Sequence, residues 1–130
     1  ALSQRRACRS RSRMRDKAGR VSERLQDIRE AIANVRADIG TISREAYLAD
    51  GKTQRAVIES LIVIGEAANS LMKLAPALEQ DHPGLWQSFR DAYDMRIVLT
   101  HEYFRVDAGV VWDTVQNDLP ALNQALSEIA

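Results

Sequence analysis

From Val21 onward, apolar side chains recur at steps of four and three: Val21, Leu25, Ile28, Ile32, Val35 and Ile39. At about 100° per residue these positions form one stripe, and the spacing predicts a helix over 21–39 with Arg, Asp and Glu on its solvated side. Gly40-Thr41 breaks the pattern, and residues 42–48 read as a short helix closed by the turn dipeptide Asp50-Gly51. Thr53 is the expected cap of the next helix, which runs to Leu74 and is stopped by Pro76. That segment is apolar nearly all round, as a central buried helix must be. One polar stripe remains on it: Glu59, Glu66, Asn69 or Ser70, and Lys73. Asp81-His82-Pro83-Gly84 reads as a loop. A fourth helix is expected over 85–99, with Trp86, Phe89 and Tyr93 on one face. A last one starts at an N-cap, Asp107, and runs to Ile129, burying Val111, Val115, Leu119, Leu122, Leu126 and Ile129. Pro120 falls inside that pattern, so the helix is expected to kink there or to restart with Asp118 as a new cap.

These elements predict an all-α fold, an up-and-down bundle of four long helices plus a short one. The residue mix agrees, since good helix formers dominate and glycines and aromatics are few, against a sandwich or barrel. The longest apolar run, residues 56–75, carries Glu59, Glu66, Asn69 and Lys73, which makes it a poor membrane span.

A net charge of zero hides an asymmetry. Residues 1–20 hold eight Lys/Arg and one acid, a net +7, whereas residues 21–130 hold ten and seventeen, a net −7. Residues 1–20 are read as a basic tail, disordered or non-native, before a domain over 21–130. Met14 offers a natural start, which would leave Ala1 to Arg13 outside the native chain. Basic arms also bind nucleic acid, the less favoured reading here. Cys8 is the single cysteine, so no disulfide forms within one chain. With no apolar leader near the start, a cytoplasmic setting is expected.

Glycine-rich phosphate loops, Cys/His metal clusters and a Ser-His-Asp order are absent from the sequence. Of two histidines, His82 sits before a proline in a loop and reads as a surface residue. His101 lies between Arg96 and Tyr103, with Glu102 beside it, at the junction of two helices. Histidine exchanges protons near neutral pH, and the guanidinium fork matches phosphate oxygens. RNA carries its own nucleophile, the 2′-hydroxyl, so a base and a cation are a minimal kit for cleaving it. Tyr103 would bond the phosphate or stack on a base. Geometry limits this. Seven positions place Arg96 and Tyr103 on nearly one side of an ideal helix, but five positions set Arg96 and His101 about 140° apart. Arg96 and His101 converge only if the helix ends near Thr100 or if a second chain completes the site. By spacing alone Arg-x4-His is a weak pattern, and a histidine at a helix end often serves only the helix dipole.

Wider runs add to this. Met95-Arg96, His101-Glu102-Tyr103-Phe104, Val106-Asp107, Val111-Trp112 and Asn117-Asp118-Leu119-Pro120 resemble the HepT-like branch of the HEPN superfamily. Ala56-Val57-Ile58, Ile64-Gly65-Glu66-Ala67-Ala68, His82-Pro83 and Trp86 fit the same family, so the likeness covers residues 22–129. It implies a HEPN helical bundle, a homodimer, and a metal-independent endoribonuclease without a cofactor, the toxin of a toxin–antitoxin pair. It implies Arg96 and His101 as the catalytic pair and RNA as substrate. The partner would be an MNT-type nucleotidyltransferase antitoxin able to transfer AMP to Tyr103. Glu66 either lines the cleft or pairs a basic residue. Ile97 departs from the family, which most often carries Asn after the motif arginine, and implies weaker activity. Thr100 is a milder departure, at a position where the family often has an apolar or small residue. The competing class is a non-catalytic module that binds and regulates a nucleotidyltransferase, which the acidic body and Ile97 favour.

Overall fold

The computed structural model describes residues 2–129, with side chains for Arg13 and from Arg15 on; Ala1, Ala130 and the side chain of Cys8 lie outside it. The first helix, α1, spans Leu2–Ile39. It is therefore longer than the apolar stripe, and the basic stretch continues the helix instead of forming an irregular tail. Few residues there oppose helix formation, since Ala, Arg, Gln and Met are all good formers. Among the described side chains of α1, packing against the core starts where the stripe starts, at Val21, and Ile28, Ala31, Ile32, Val35 and Ile39 are buried. Gly40, at φ 55°, ends the helix and donates its N–H to the Arg36 carbonyl at 2.9 Å. That left-handed conformation suits a residue without Cβ.

Helix α2 spans Arg44–Leu48, capped by Ser43, whose hydroxyl accepts from the Ala46 N–H at 3.1 Å. Its Tyr47 is fully buried and packs on Trp112 with ring centroids 5.2 Å apart. Helix α3 spans Gly51–Leu74. Its cap is Asp50, not Thr53: the Asp50 carboxylate accepts from both the backbone N–H and the hydroxyl of Thr53. Asp50 precedes Thr53 by three residues, which puts its side chain opposite the third free N–H of the first turn. Those hydrogen bonds, the hydroxyl's first, hold the Asp50 carboxyl below its usual range. As expected of a central helix, α3 packs against both α1 and the later helix α5, Pro83–His101. It buries Val57, Leu61, Ile64, Ala67, Ala68 and Leu71. Burial of each large aliphatic side chain contributes about 1.5–3 kcal/mol.

A one-turn helix, α4 (Leu78–Asp81), replaces the first part of the expected loop. α5 outruns its predicted bounds at both ends. Pro83 supplies a favourable first residue, because its missing N–H would have no partner there. No glycine or proline stops the far end before His101. Phe89 is buried on α5, while Trp86 and Tyr93 are half-buried. His82, read as a surface residue, is half-buried at the α4–α5 junction. After a 3₁₀ turn over Tyr103–Arg105, α6 spans Ala108–Asp113 with the expected cap, Asp107, accepting from Gly109 and Val110.

Before Pro120 the last helix passes through a π turn instead of restarting at a new cap. The chain runs from α6 through a π turn, Thr114–Asp118, into α7, Leu119–Ser127. The Leu119 N–H donates to the Thr114 carbonyl, five residues back. In a regular helix the proline ring would collide with the carbonyl four residues back, and the wider π turn relieves that collision. Asp118 makes no capping bond. Four long helical segments and short ones thus form an all-α bundle around one core, and no helix among the described residues is long and apolar enough to cross a membrane.

Asp118 carries a cost instead. Desolvation, and then the negative charge of Asp91, push its carboxyl above the usual range. A raised carboxyl stabilises the fold fully below its unfolded value, and that contribution is lost as pH rises through the folded value. Asp118→Asn is therefore expected to melt at a higher temperature than the parent near neutral pH. Melting curves at neutral and acid pH check this, the gap closing as both side chains become uncharged.

Candidate active site

α5 delivers Arg96 to the seam with α3. The guanidinium Nε pairs with Glu66 Oε1, and the two side chains are 28% and 50% exposed. Glu66 is therefore the acidic partner of the motif arginine, on the polar stripe read from the sequence. The terminal nitrogens of the fork make no hydrogen bond among the described contacts and are donors available for a phosphate.

The close fit of the two helices depends on Gly65. A Cβ at that position would stand 2.3 Å from Arg96 Cβ, 2.7 Å from the Ala92 carbonyl oxygen and 3.1 Å from Arg96 Cγ. Only a residue without a side chain fits there. The sequence carried a usable signal: a glycine inside a helix costs about 1 kcal/mol relative to alanine, so its place in an apolar helix marks a close approach.

His101 is the last residue of α5 and is exposed. The α-helix ends one residue past Thr100, close to where one route to convergence required, but His101 itself still lies within it. Thr100 donates its hydroxyl to the carbonyls of Arg96 and Ile97, bonds made within a continuing helix. Arg96 and His101 thus stay about 140° apart around α5 and about 7.5 Å apart along its axis. On an ideal helix that separation keeps the two side chains of one chain from facing the same way.

The helical count also reassigns Ile97. It lies four residues before His101, on the same face, whereas Arg96 turns toward α3. That face is open and apolar: Ile97 is 36% and Val98 44% exposed.

Tyr103 does not share a helical face with Arg96, because the chain leaves the α-helix at Glu102. Its ring is 45% exposed and meets Phe104 edge to face, centroids 5.7 Å apart. Phe104 is 98% exposed. Beside Tyr103 a pocket of about 170 Å³ opens, lined in part by Gln54, Arg55 and Ile58. The amide of Gln54 donates to the Tyr47 and Leu48 carbonyls, fixing that wall.

The profile of a family described as ribonuclease HepT-like matches residues 22–129. A protein of Thermococcus cleftensis named "Probable ribonuclease HepT" is 40% identical over 98 residues, covering 75% of this chain and 84% of that one. A protein of Caldanaerobacter subterraneus subsp. tengcongensis named as a candidate RNase is 33% identical over 88 residues, 68% of this chain and 74% of its own. A third, from Methanocaldococcus jannaschii and likewise named as a candidate RNase, is 32% identical over 106 residues, 81% and 83% of the two chains. No solved structure matches. With the match running through the whole bundle, from α1 to the end of α7, this chain belongs to the ribonuclease HepT-like family.

Proposed function

We propose that the protein is an endoribonuclease whose working unit is a homodimer, with Arg96 and His101 as its catalytic residues. The observation that carries this reading is the divergence of the two side chains on one continuous helix, with His101 on an exposed apolar face. A second copy related by a two-fold axis would cover Ile97 and Val98 and bring both Arg96–His101 pairs into one cleft. The names of the relatives, a ribonuclease and two candidate RNases, support the substrate class.

The chemistry balances without a cofactor. One His101 takes the proton of the 2′-hydroxyl as that oxygen attacks phosphorus. The bond from phosphorus to the 5′-oxygen breaks, and the second His101, protonated, supplies the proton to the leaving oxygen. The products are a 2′,3′-cyclic phosphate and a 5′-hydroxyl. Arg96, oriented by Glu66, stabilises the extra negative charge on the phosphoryl oxygens. Incubation of the purified protein with RNA tests the reading: cleavage to cyclic-phosphate ends is expected, and intact RNA would refute it.

The regulatory part of the proposal is that a cognate MNT-type nucleotidyltransferase acts as antitoxin by transferring AMP from ATP to Tyr103. The phenolic oxygen attacks the α-phosphorus, and pyrophosphate leaves. Exposure of the Tyr103 ring, two residues from His101, supports it. Added bulk and negative charge beside the cleft would repel RNA phosphates. Intact mass after incubation with ATP and the transferase is expected to rise by whole AMP units, and Tyr103→Phe to abolish the rise.

A further inference from the structure

Within the ribonuclease reading, we infer that Gly65 is a positioning residue for the catalytic arginine. The case is geometric. An arginine side chain has four rotatable bonds, and a guanidinium on a surface helix samples many positions. Arg96 is restrained at two points. Near its root, Cβ and Cγ lie against Gly65, at 2.3 Å and 3.1 Å from where a Cβ would stand, with the Ala92 carbonyl 2.7 Å away. Near its tip, Nε pairs with Glu66, the residue that follows Gly65. Two consecutive residues of α3 therefore hold the base and the head of one side chain.

The glycine acts through distance. Its missing Cβ lets the α5 backbone settle onto α3, which brings Arg96 within reach of Glu66. A methyl group at Gly65 would have to push α5 outward, because one of its obstacles is a backbone carbonyl that cannot rotate away. The guanidinium would then lose its pairing geometry and its aim at the cleft. Misplacing a reacting group by about 1 Å costs on the order of 10²-fold in rate.

The test follows the Arg96 side-chain Nε–H by NMR in the intact homodimer, alongside cleavage kinetics. In the parent protein this group is expected to be ordered, in contrast to the exposed Arg105. In Gly65→Ala it is expected to become mobile, with kcat lowered about 10²-fold and KM for RNA within about twofold of the parent. Glu66→Gln, which leaves the helix contact intact, is expected to loosen the head group alone and to lower kcat less. An Arg96 Nε–H as mobile in the parent as that of Arg105 overturns the inference even if Gly65→Ala does not fold. So does a folded Gly65→Ala protein whose Nε–H and kcat are unchanged while only its melting temperature falls, since that is plain packing. A parent protein that cuts no RNA removes the ribonuclease reading, and the NMR comparison still decides whether Gly65 seats Arg96.

Discussion

His101→Ala is expected to remove RNA cleavage, with the rate falling by about 10²–10⁴-fold, the usual contribution of a positioned proton-transfer group. Both halves of the reaction would suffer, because each cleft loses the group that accepts the first proton and the group that delivers the second. The fold has no stake in the substitution. His101 is exposed at the end of α5 and has no side-chain hydrogen bond among the described contacts. Melting temperature and dimer content should therefore match the parent. Gel analysis of labelled RNA checks the rate, and unchanged cleavage by a folded His101→Ala dimer would remove histidine from the mechanism.

The second large effect concerns the shared cleft. Parent protein mixed one to one with His101→Ala, so that their subunits exchange, gives dimers of which about a quarter are parent, about half carry a single His101 and about a quarter carry none. If one cleft needs both histidines, one as base and one as acid, only the parent dimers cut at full rate, and activity should fall to about a quarter of that of the same total concentration of parent. If each chain cut RNA by itself, the mixture would keep about half of it. The angular separation of about 140° between Arg96 and His101 on α5 is the reason to expect the lower value.

Much of the bundle could be read from the chain because burial imposes a period. The stripes of α1 and of the last helix survive in the structure residue for residue, from Ile28 to Ile39 and from Val111 to Leu126. What the pattern missed depends on single hydrogen bonds and on local sterics. Asp50 and Thr53 are both good caps, and only the backbone path at Gly51 decides that the carboxylate is the acceptor. Pro120 signalled a disturbed helix but not which one, since a kink, a restart and a π turn all relieve the same collision. At the site, helix arithmetic alone set Arg96 and His101 apart. Pairing Arg96 with Glu66 needed the register of α5 against α3, thirty residues away along the chain, and no periodicity supplies that. Ile97 looked like a defect beside the arginine; on the folded helix it is a neighbour of His101 on the apolar face.

The π turn at Thr114–Asp118 also fixes how this helix can vary in length. Val111, Val115 and Leu119 recur every four residues, a spacing that drifts by about 40° per step around a 3.6-residue spiral. The π turn winds more slowly and takes up that drift, so that Leu119 stays on the buried side with Val111. It holds one residue more than the α-turn it replaces for about the same rotation. Loss of one residue within it would restore ordinary winding, and with it the collision at Pro120, but would leave Leu122 and Leu126 facing the core. Loss of one residue from regular winding elsewhere would rotate everything beyond it by about 100°. The π turn is thus the place in the last helix where a change of length leaves its two halves in phase.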